Sequence, residues 1–304
     1  MIRYVRYAGG DFMNKKTRSL ILLTLTAIIW GFAFIAQRVG GNSTGSLTYN
    51  AIRFALGSLS LIPVMLIFEK RANNKDKRRH TMRTGMLCGI LLFTASTLQQ
   101  YGVMLTDYAG KAGFITDFYI ILVPIFGIFL HKKTSRSAWV GAFLALVGFY
   151  FLCMQDSFSI NFGDALIFAC ALFFALHILA VEHFAPSIYA IRFSFYQYIT
   201  CTLLSAVGML MFERIPLENI IDATIPILYG GILSVGAGYT LQTLGQIGVD
   251  STTAAIILSC ESVFCALGSA LLLNEVMTMQ SYFGCALVFI GILVAQIPSK
   301  KSSS

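Results

Sequence analysis

Five ionisable side chains stand inside long apolar runs of this sequence: Arg53, Asp117, His177, Arg192 and Glu261. A charge at the centre of a membrane-spanning helix costs about 2.5 to 3.5 kcal/mol on insertion scales, so it turns toward a partner or a watery cavity. Glu261 is the deepest, about nine residues or roughly 13 Å into its run at 1.5 Å per residue. Ala254, Leu258, Cys265 and Gly268 share its helical face, and such mostly small side chains mark the face a helix turns to other helices. Its carboxyl reads either as a substrate or proton site or as a buried partner for Arg192 or a backbone group. Asp117 and Arg53 lie at a common depth of roughly 9 Å from one surface. An ion pair between them is expected, serving either to lock the fold or to touch substrate. Pro124, two turns beyond Asp117 on the same face, is expected to kink that helix.

His177 reads as a satisfied core histidine or as a proton relay or ligand contact. Trp30 stands near mid-membrane, away from the interfacial belts where Trp gathers, which points to packing or a cavity wall. Gly231, Ser234, Gly238, Gln242 and Gly245 form a stripe at steps of three and four. That stripe allows close helix approach or leaves room for a cavity with Gln242 as a polar wall. Gln99 and Tyr239 complete the candidate wall. No HExxH, GxSxG, Walker-type loop or Cys/His cluster with metal spacing is present, so no catalysis, cofactor, metal or ATP hydrolysis within the chain is expected. The seven cysteines lie in or beside apolar runs without a CxxC and read as small core residues.

The elements that position these residues follow from composition. The chain of 304 residues is 57% hydrophobic and 12% charged, where soluble domains carry about 25% charge. Apolar runs about twice the length of a barrel strand exclude a transmembrane β-barrel. The fold class is therefore an all-α polytopic membrane protein, with ten spans at about 19–37, 47–68, 84–105, 111–130, 137–153, 163–182, 189–212, 225–248, 252–273 and 280–297. The first run spans and lacks a cleavage site, so no signal peptide is expected.

Charge sets direction. Of the 22 Lys and Arg, five precede span one, seven lie between spans two and three, three follow span four and two end the chain. Only Arg38, Lys111 and Arg214 fall on the other side, with Arg53 and Arg192 inside spans. The positive-inside rule places both termini in the cytoplasm. The basic run from Glu69 to Arg83 reads as a topology-setting loop rather than a nucleic-acid site. Asn42-Ser43-Thr44 has the form of a glycosylation sequon in an outer loop.

The chain also matches itself. At an offset of 143, Thr97-Leu98-Gln99 and Gly102 meet Thr240-Leu241-Gln242 and Gly245; Asp107 meets Asp250; Gly141 and Gly148 meet Gly284 and Gly291. Nearer the start of each half the offset becomes 139, where Ala51-Ile52-Arg53-Phe54 meets Ala190-Ile191-Arg192-Phe193. An odd number of spans per copy makes these inverted repeats, the arrangement by which many secondary carriers obtain two mirror-related openings. The expected units are a tail at 1–18, repeats at 19–153 and 163–297, and a tail at 298–304.

The segment around Trp30-Gly31, the Arg53-Phe54 pair, Gly110 to Thr116, and Leu258-Ser-Cys-Glu261-Ser-Val-Phe264 followed by Leu273-Asn-Glu275 resemble the EamA branch of the drug/metabolite transporter superfamily. The resemblance covers about 19 to 297. It implies a plasma-membrane carrier, the cytoplasmic membrane in a bacterium, typically exporting amino acids, other small metabolites or toxic compounds. It also implies a cavity bounded by spans one to four and six to nine, with spans five and ten peripheral. Two departures stand out: Ser262 where many relatives have Pro after the glutamate, and His131-Lys132 where they have Gly-Glu. The expected partners are a small-molecule substrate, the bilayer and protons as candidate coupling ion, with no nucleic acid, in a monomer or homodimer. The rivals are an antiporter of phosphorylated sugars or nucleotide sugars, which needs more than one cavity cation, and a non-transporting sensor or scaffold, which needs a partner domain.

Overall fold

A computed structural model describes residues 14–70, 72–106, 109–132, 134–153, 161–213, 217–273 and 277–297. Asp107, Arg214, Arg71, Lys133, Asn274, Glu275 and both terminal stretches, 1–13 and 298–304, lie outside the described residues. Among the described residues every regular element is a helix. In order these are α1 (Lys15–Thr44), α2 (Ser46–Phe68), α3 (Lys75–Leu105), α4 (Ala109–Thr116), α5 (Tyr119–Phe129), α6 (Arg136–Cys153) and α7 (Phe162–Phe184). There follow a 3-10 turn (Ala185–Ser187), α8 (Ala190–Phe212), α9 (Leu217–Asp222), α10 (Thr224–Leu228), a π-helix (Tyr229–Tyr239), α11 (Thr240–Gly245), α12 (Ser251–Leu258), α13 (Glu261–Leu273) and α14 (Met279–Ala295). Among the described residues eight helices or helix runs are long and apolar enough to cross a membrane, and two shorter apolar helices, Arg136–Leu152 and Met279–Ala295, accompany them. Exposed Phe68, Phe129, Leu210, Ile225 and Leu293 are among the apolar side chains on the outside of the bundle, a surface suited to lipid and costly in water.

Polar residues start the helices. Asn74 accepts from the Lys77 backbone N–H at 2.9 Å, and Asn161 with Asp164 forms a capping box on α7. The Asn74 cap corrects the sequence reading at one place: residues 75–83 form the first turns of α3 rather than a loop. Asn42-Ser43-Thr44 likewise ends α1 and is not in a loop. A single residue, Gly45, then turns the chain into α2 at φ 91, a conformation closed to side chains with a Cβ.

The helices close into a ring. Going round it, α8 packs on α2, α2 on the π-helix, the π-helix and α11 on α1, and α1 on α12 and α13. These meet α5 and α4, which pack on α7, and α7 on α3, which returns to α8. At two places in this ring a helix crosses its own counterpart in the internal match antiparallel. In the first, Glu213 beyond the end of α8 accepts from the backbone N–H groups of Leu47 and Thr48 at 2.9 and 2.8 Å, capping α2. Glu69 beyond the end of α2 accepts from Ile191 and Arg192 at 3.0 and 3.1 Å, capping α8. Each helix thus places a carboxylate on the positive end of the other.

That symmetry revises the register of the internal match. Helix α2 runs from 46 to 68 and α8 from 190 to 212, an offset of 144 at both ends. Arg53 therefore corresponds in position to Gln197, and the Ala-Ile-Arg-Phe identity at 139 is displaced by five residues along the helix. The offset of 143 holds for the starts of α6 and α14. Gly141 packs against Gly291, and a Cβ on Gly148 would meet the Gly284 carbonyl at 2.7 Å, so α6 and α14 touch backbone to backbone.

The second crossing pair is interrupted. The expected fourth span is broken between Thr116 and Tyr119, and the ninth between Leu258 and Glu261, places matching within one residue at the offset of 143. At both breaks the chain tightens to i→i−3 bonds: Ile120 N–H to Asp117 O at 2.9 Å and Cys260 N–H to Ile257 O at 3.2 Å are examples. The break falls at Asp117-Phe118, and Pro124, where a kink is expected, lies within α5. Span nine breaks without a proline after Glu261.

Candidate functional site

A pocket opens at the centre of the ring, its empty space about 430 Å³ with the mouth included. Helix α1 lines it with Trp30, Ala33, Phe34 and Gln37, spaced at three and four so that they share one face. Arg53 comes from α2, Gln99 from α3, Tyr119 from the first residue of α5, and Phe174 and Ile178 from α7. The opposite wall holds Ser234, Tyr239 and Gln242, with Glu261 at the first residue of α13. Helices α6 and α14 contribute nothing to this lining.

Local geometry explains the aim of each side chain. Gly31 lets α1 approach α13 so closely that a Cβ there would meet the Glu261 carbonyl at 2.7 Å, which sets Trp30 beside the carboxyl helix. The Trp30 indole N–H donates to the Ser234 carbonyl at 3.1 Å, and its ring lies 4.6 Å from that of Tyr239. Ser234 and Tyr239 are five residues apart, one turn of a π-helix, and so line the same wall. The small-residue stripe serves both purposes left open: Gly231 and Gly245 pack against Leu56 and Leu23, while Ser234 and Gln242 face the pocket.

The charges are arranged differently from expectation. Arg53, 1% exposed, does not pair with Asp117 among the described residues. Its Nε donates to Asn50 Oδ1 at 2.9 Å, and its guanidinium lies 5.4 and 5.2 Å from the rings of Tyr49 and Phe54. Asp117 is fully buried and accepts from the Ser262 hydroxyl, behind the pocket wall rather than in it. Tyr119 donates to Glu261 Oε1 at 3.2 Å. The two helix breaks are therefore joined by reciprocal bonds, Asp117 to Ser262 and Tyr119 to Glu261. Arg192 is no partner of Glu261; its Nε lies 3.6 Å from Glu69 Oε2 at the end of the bundle.

His177 stands behind Tyr239, with ring centroids 6.3 Å apart. Its Nε2 lies 2.6 Å from Gln197 Oε1. Gln99 and Gln242, equivalent at the offset of 143, both face the pocket. Sequence reading missed Tyr119, Gln37 and Phe34. The i, i+3, i+4, i+7 stripe through Trp30 was the available signal for the last two, and adjacency to Asp117 for the first. Three buried polar atoms of the wall have no hydrogen-bond partner: Gln37 Oε1, Arg53 Nη2 and Gln242 Oε1. Groups buried this way normally have one, so the wall offers one donor and two acceptors to an occupant.

Comparison with known proteins adds the family. The model described as the EamA-like transporter family matches twice, over residues 17–154 and 161–296. The chain is 30% identical over 297 residues to an uncharacterized transporter of Archaeoglobus fulgidus, covering 97% of this chain and 91% of that one. It is 24% identical over 315 residues to the uncharacterized transporter YetK of Bacillus subtilis, covering 98% and 92%. A protein crystal structure with 17% identity superposes at a TM-score of 0.78, covering 95% of this chain and 99% of that one. That likeness concerns the fold.

Proposed function

Since the chain belongs to the EamA-like transporter family, we propose that it is a secondary carrier that exports small metabolites such as amino acids, or toxic compounds, by alternating access. In this reading ten spans cross the bilayer as two inverted five-helix halves, 19–153 and 163–297, with both termini in the cytoplasm. One chain holds the whole pocket, so a monomer suffices.

The observation that carries the reading is the composition of the pocket wall. One cation, Arg53, and one carboxyl, Glu261, share a cavity with unpartnered amide oxygens and the rings of Trp30 and Tyr239. A small molecule with an anionic group for Arg53, an ammonium or other donor for Glu261 and the glutamines, and an apolar part for the aromatics satisfies every orphaned group. A phosphorylated or nucleotide sugar fits poorly. Its two negative charges would meet a single arginine opposed by Glu261, because Arg192 is held at Glu69. Glu261 is also the group proposed to carry protons.

The first test compares metabolite efflux from cells with and without the protein, where export of an amphipathic zwitterion is expected and export of sugar phosphates alone would overturn the reading. The second uses Glu261→Gln, which keeps shape but cannot titrate. Export driven by a pH gradient should vanish while exchange at equal concentrations persists; full gradient-driven export would remove Glu261 from the coupling.

A further inference from the structure

The ring that encloses the pocket has two places where a helix crosses its own counterpart antiparallel, and the two are of opposite character. At one, α2 and α8 are unbroken and carry a carboxylate cap at each end. At the other, both helices are interrupted, so four short pieces meet: α4 packs on α13 toward one end of the bundle, and α5 on α12 toward the other. The pocket reaches this crossing at its breaks, through Tyr119 and Glu261. A continuous helix transmits a tilt along its whole length, whereas a break with i→i−3 bonds lets its two halves move separately.

Each half of span four is tied to α7 by its own ion pair. At the α4 end, Lys111 Nζ lies 2.7 Å from Asp164 Oδ2, with side chains 6% and 5% exposed. The Thr106 hydroxyl donates to the other Asp164 oxygen at 2.7 Å. At the far end, Lys132, just beyond α5, pairs with Glu182, with side chains 34% and 23% exposed. Breaking a buried pair strands a charge, while a half-exposed pair is readily replaced by water.

We propose that α4 with α13 and α5 with α12 are the two gates of the pocket, that Lys111–Asp164 and Lys132–Glu182 are their latches, and that the capped α2 and α8 crossing is the fixed side about which they open. The idea rests on the carrier reading above. The four latch residues are positioning residues: none touches the pocket. Because the α4 latch is buried and reinforced by Thr106, the α5 gate opens more often at rest.

The test uses Ser234→Cys to place a thiol in the pocket wall and measures, in sealed vesicles of both orientations, labelling by a charged impermeant maleimide in excess of the parent protein. Asp164→Asn should raise labelling several-fold from the α4 side only, and Glu182→Gln from the α5 side only. The charge swap Lys132→Glu with Glu182→Lys should return labelling to the starting level. Should Asp164→Asn fail to fold, Thr106→Val removes only the supporting bond and should give a smaller rise on the same side. Equal changes from both sides, or none in folded protein, would overturn the gates. So would a one-sided change produced by Glu69→Ala or Glu213→Ala, which would move the gates to the other crossing. Opposite sidedness with the α4 side cytoplasmic would leave the gates standing and reject the proposed topology.

Discussion

At Glu261 a single hydrogen bond joins two helices broken at equivalent places. Tyr119→Phe removes the hydroxyl and keeps the ring, which should cost about 1 kcal/mol of stability. Glu261→Ala removes the other end of the same bond, so the double variant should lose less than the sum of the two single losses. A thermal-unfolding cycle in detergent checks this, and strict additivity would show that the bond contributes nothing. Arg53→Ala and Asp117→Ala should behave in the opposite way. The two residues hold different partners, Asn50 and Ser262, so their losses should add within about 0.5 kcal/mol. Transport should fall tenfold or more in Arg53→Ala, since the pocket wall loses its cation. Common depth in the sequence suggested that these two charges meet; depth fixes only the height along a helix. The direction each side chain faces depends on helix rotation, and aromatic rings of Tyr49 and Phe54 offered Arg53 another place to rest.

At the scale of elements, the turn between α1 and α2 is the most constrained described feature. Gly45 combines φ 91 with ψ 158, a region essentially reserved for glycine. A Cβ there would also meet Glu213 Oε2 at 2.8 Å. Gly45→Ala should therefore destabilise by about 1 to 3 kcal/mol, and Glu213→Ala by about 0.5 to 2 through loss of the α2 cap. Together they should cost less than their sum, because removing the carboxylate frees the space that the new methyl needs. Melting temperatures of the three variants decide it, and a double variant worse than the sum would reject the contact. The apolar runs were legible in the sequence because burial in lipid demands about 20 apolar residues in a row. The breaks were not. Neither interruption carries a proline or glycine at its centre, and each is held by partners more than 140 positions away in the chain, Asp117 with Ser262 and Tyr119 with Glu261. Pro124, the local signal for a kink, sits inside α5 beyond the break. The π-helix was equally hidden, since the i→i+5 spacing of Ser234 and Tyr239 is lost among glycines that also repeat at three and four.

For the whole molecule, the closed ring makes orientation a single choice: once one helix end is assigned to a side, every crossing assigns the rest. Lys75, Lys77, Arg78, Arg79 and Arg83 cluster on the first turns of α3, and Lys132 and Arg136 flank the turn between α5 and α6. Carrying such groups across a bilayer is far costlier than leaving them where synthesis places them, and the proposed topology accordingly puts this end in the cytoplasm. The same proposal puts Asn42, exposed at the far end of α1, outside. A cysteine at position 75 should accordingly react with an impermeant thiol reagent only from the cytoplasmic face, and one at position 42 only from the outer face. The two sites are separated by the full length of α2, so no local rearrangement can bring them to one side. Reaction of both from the same face would break the span assignment of α2, and with it the opposed orientation of the two halves that the proposed alternating access requires.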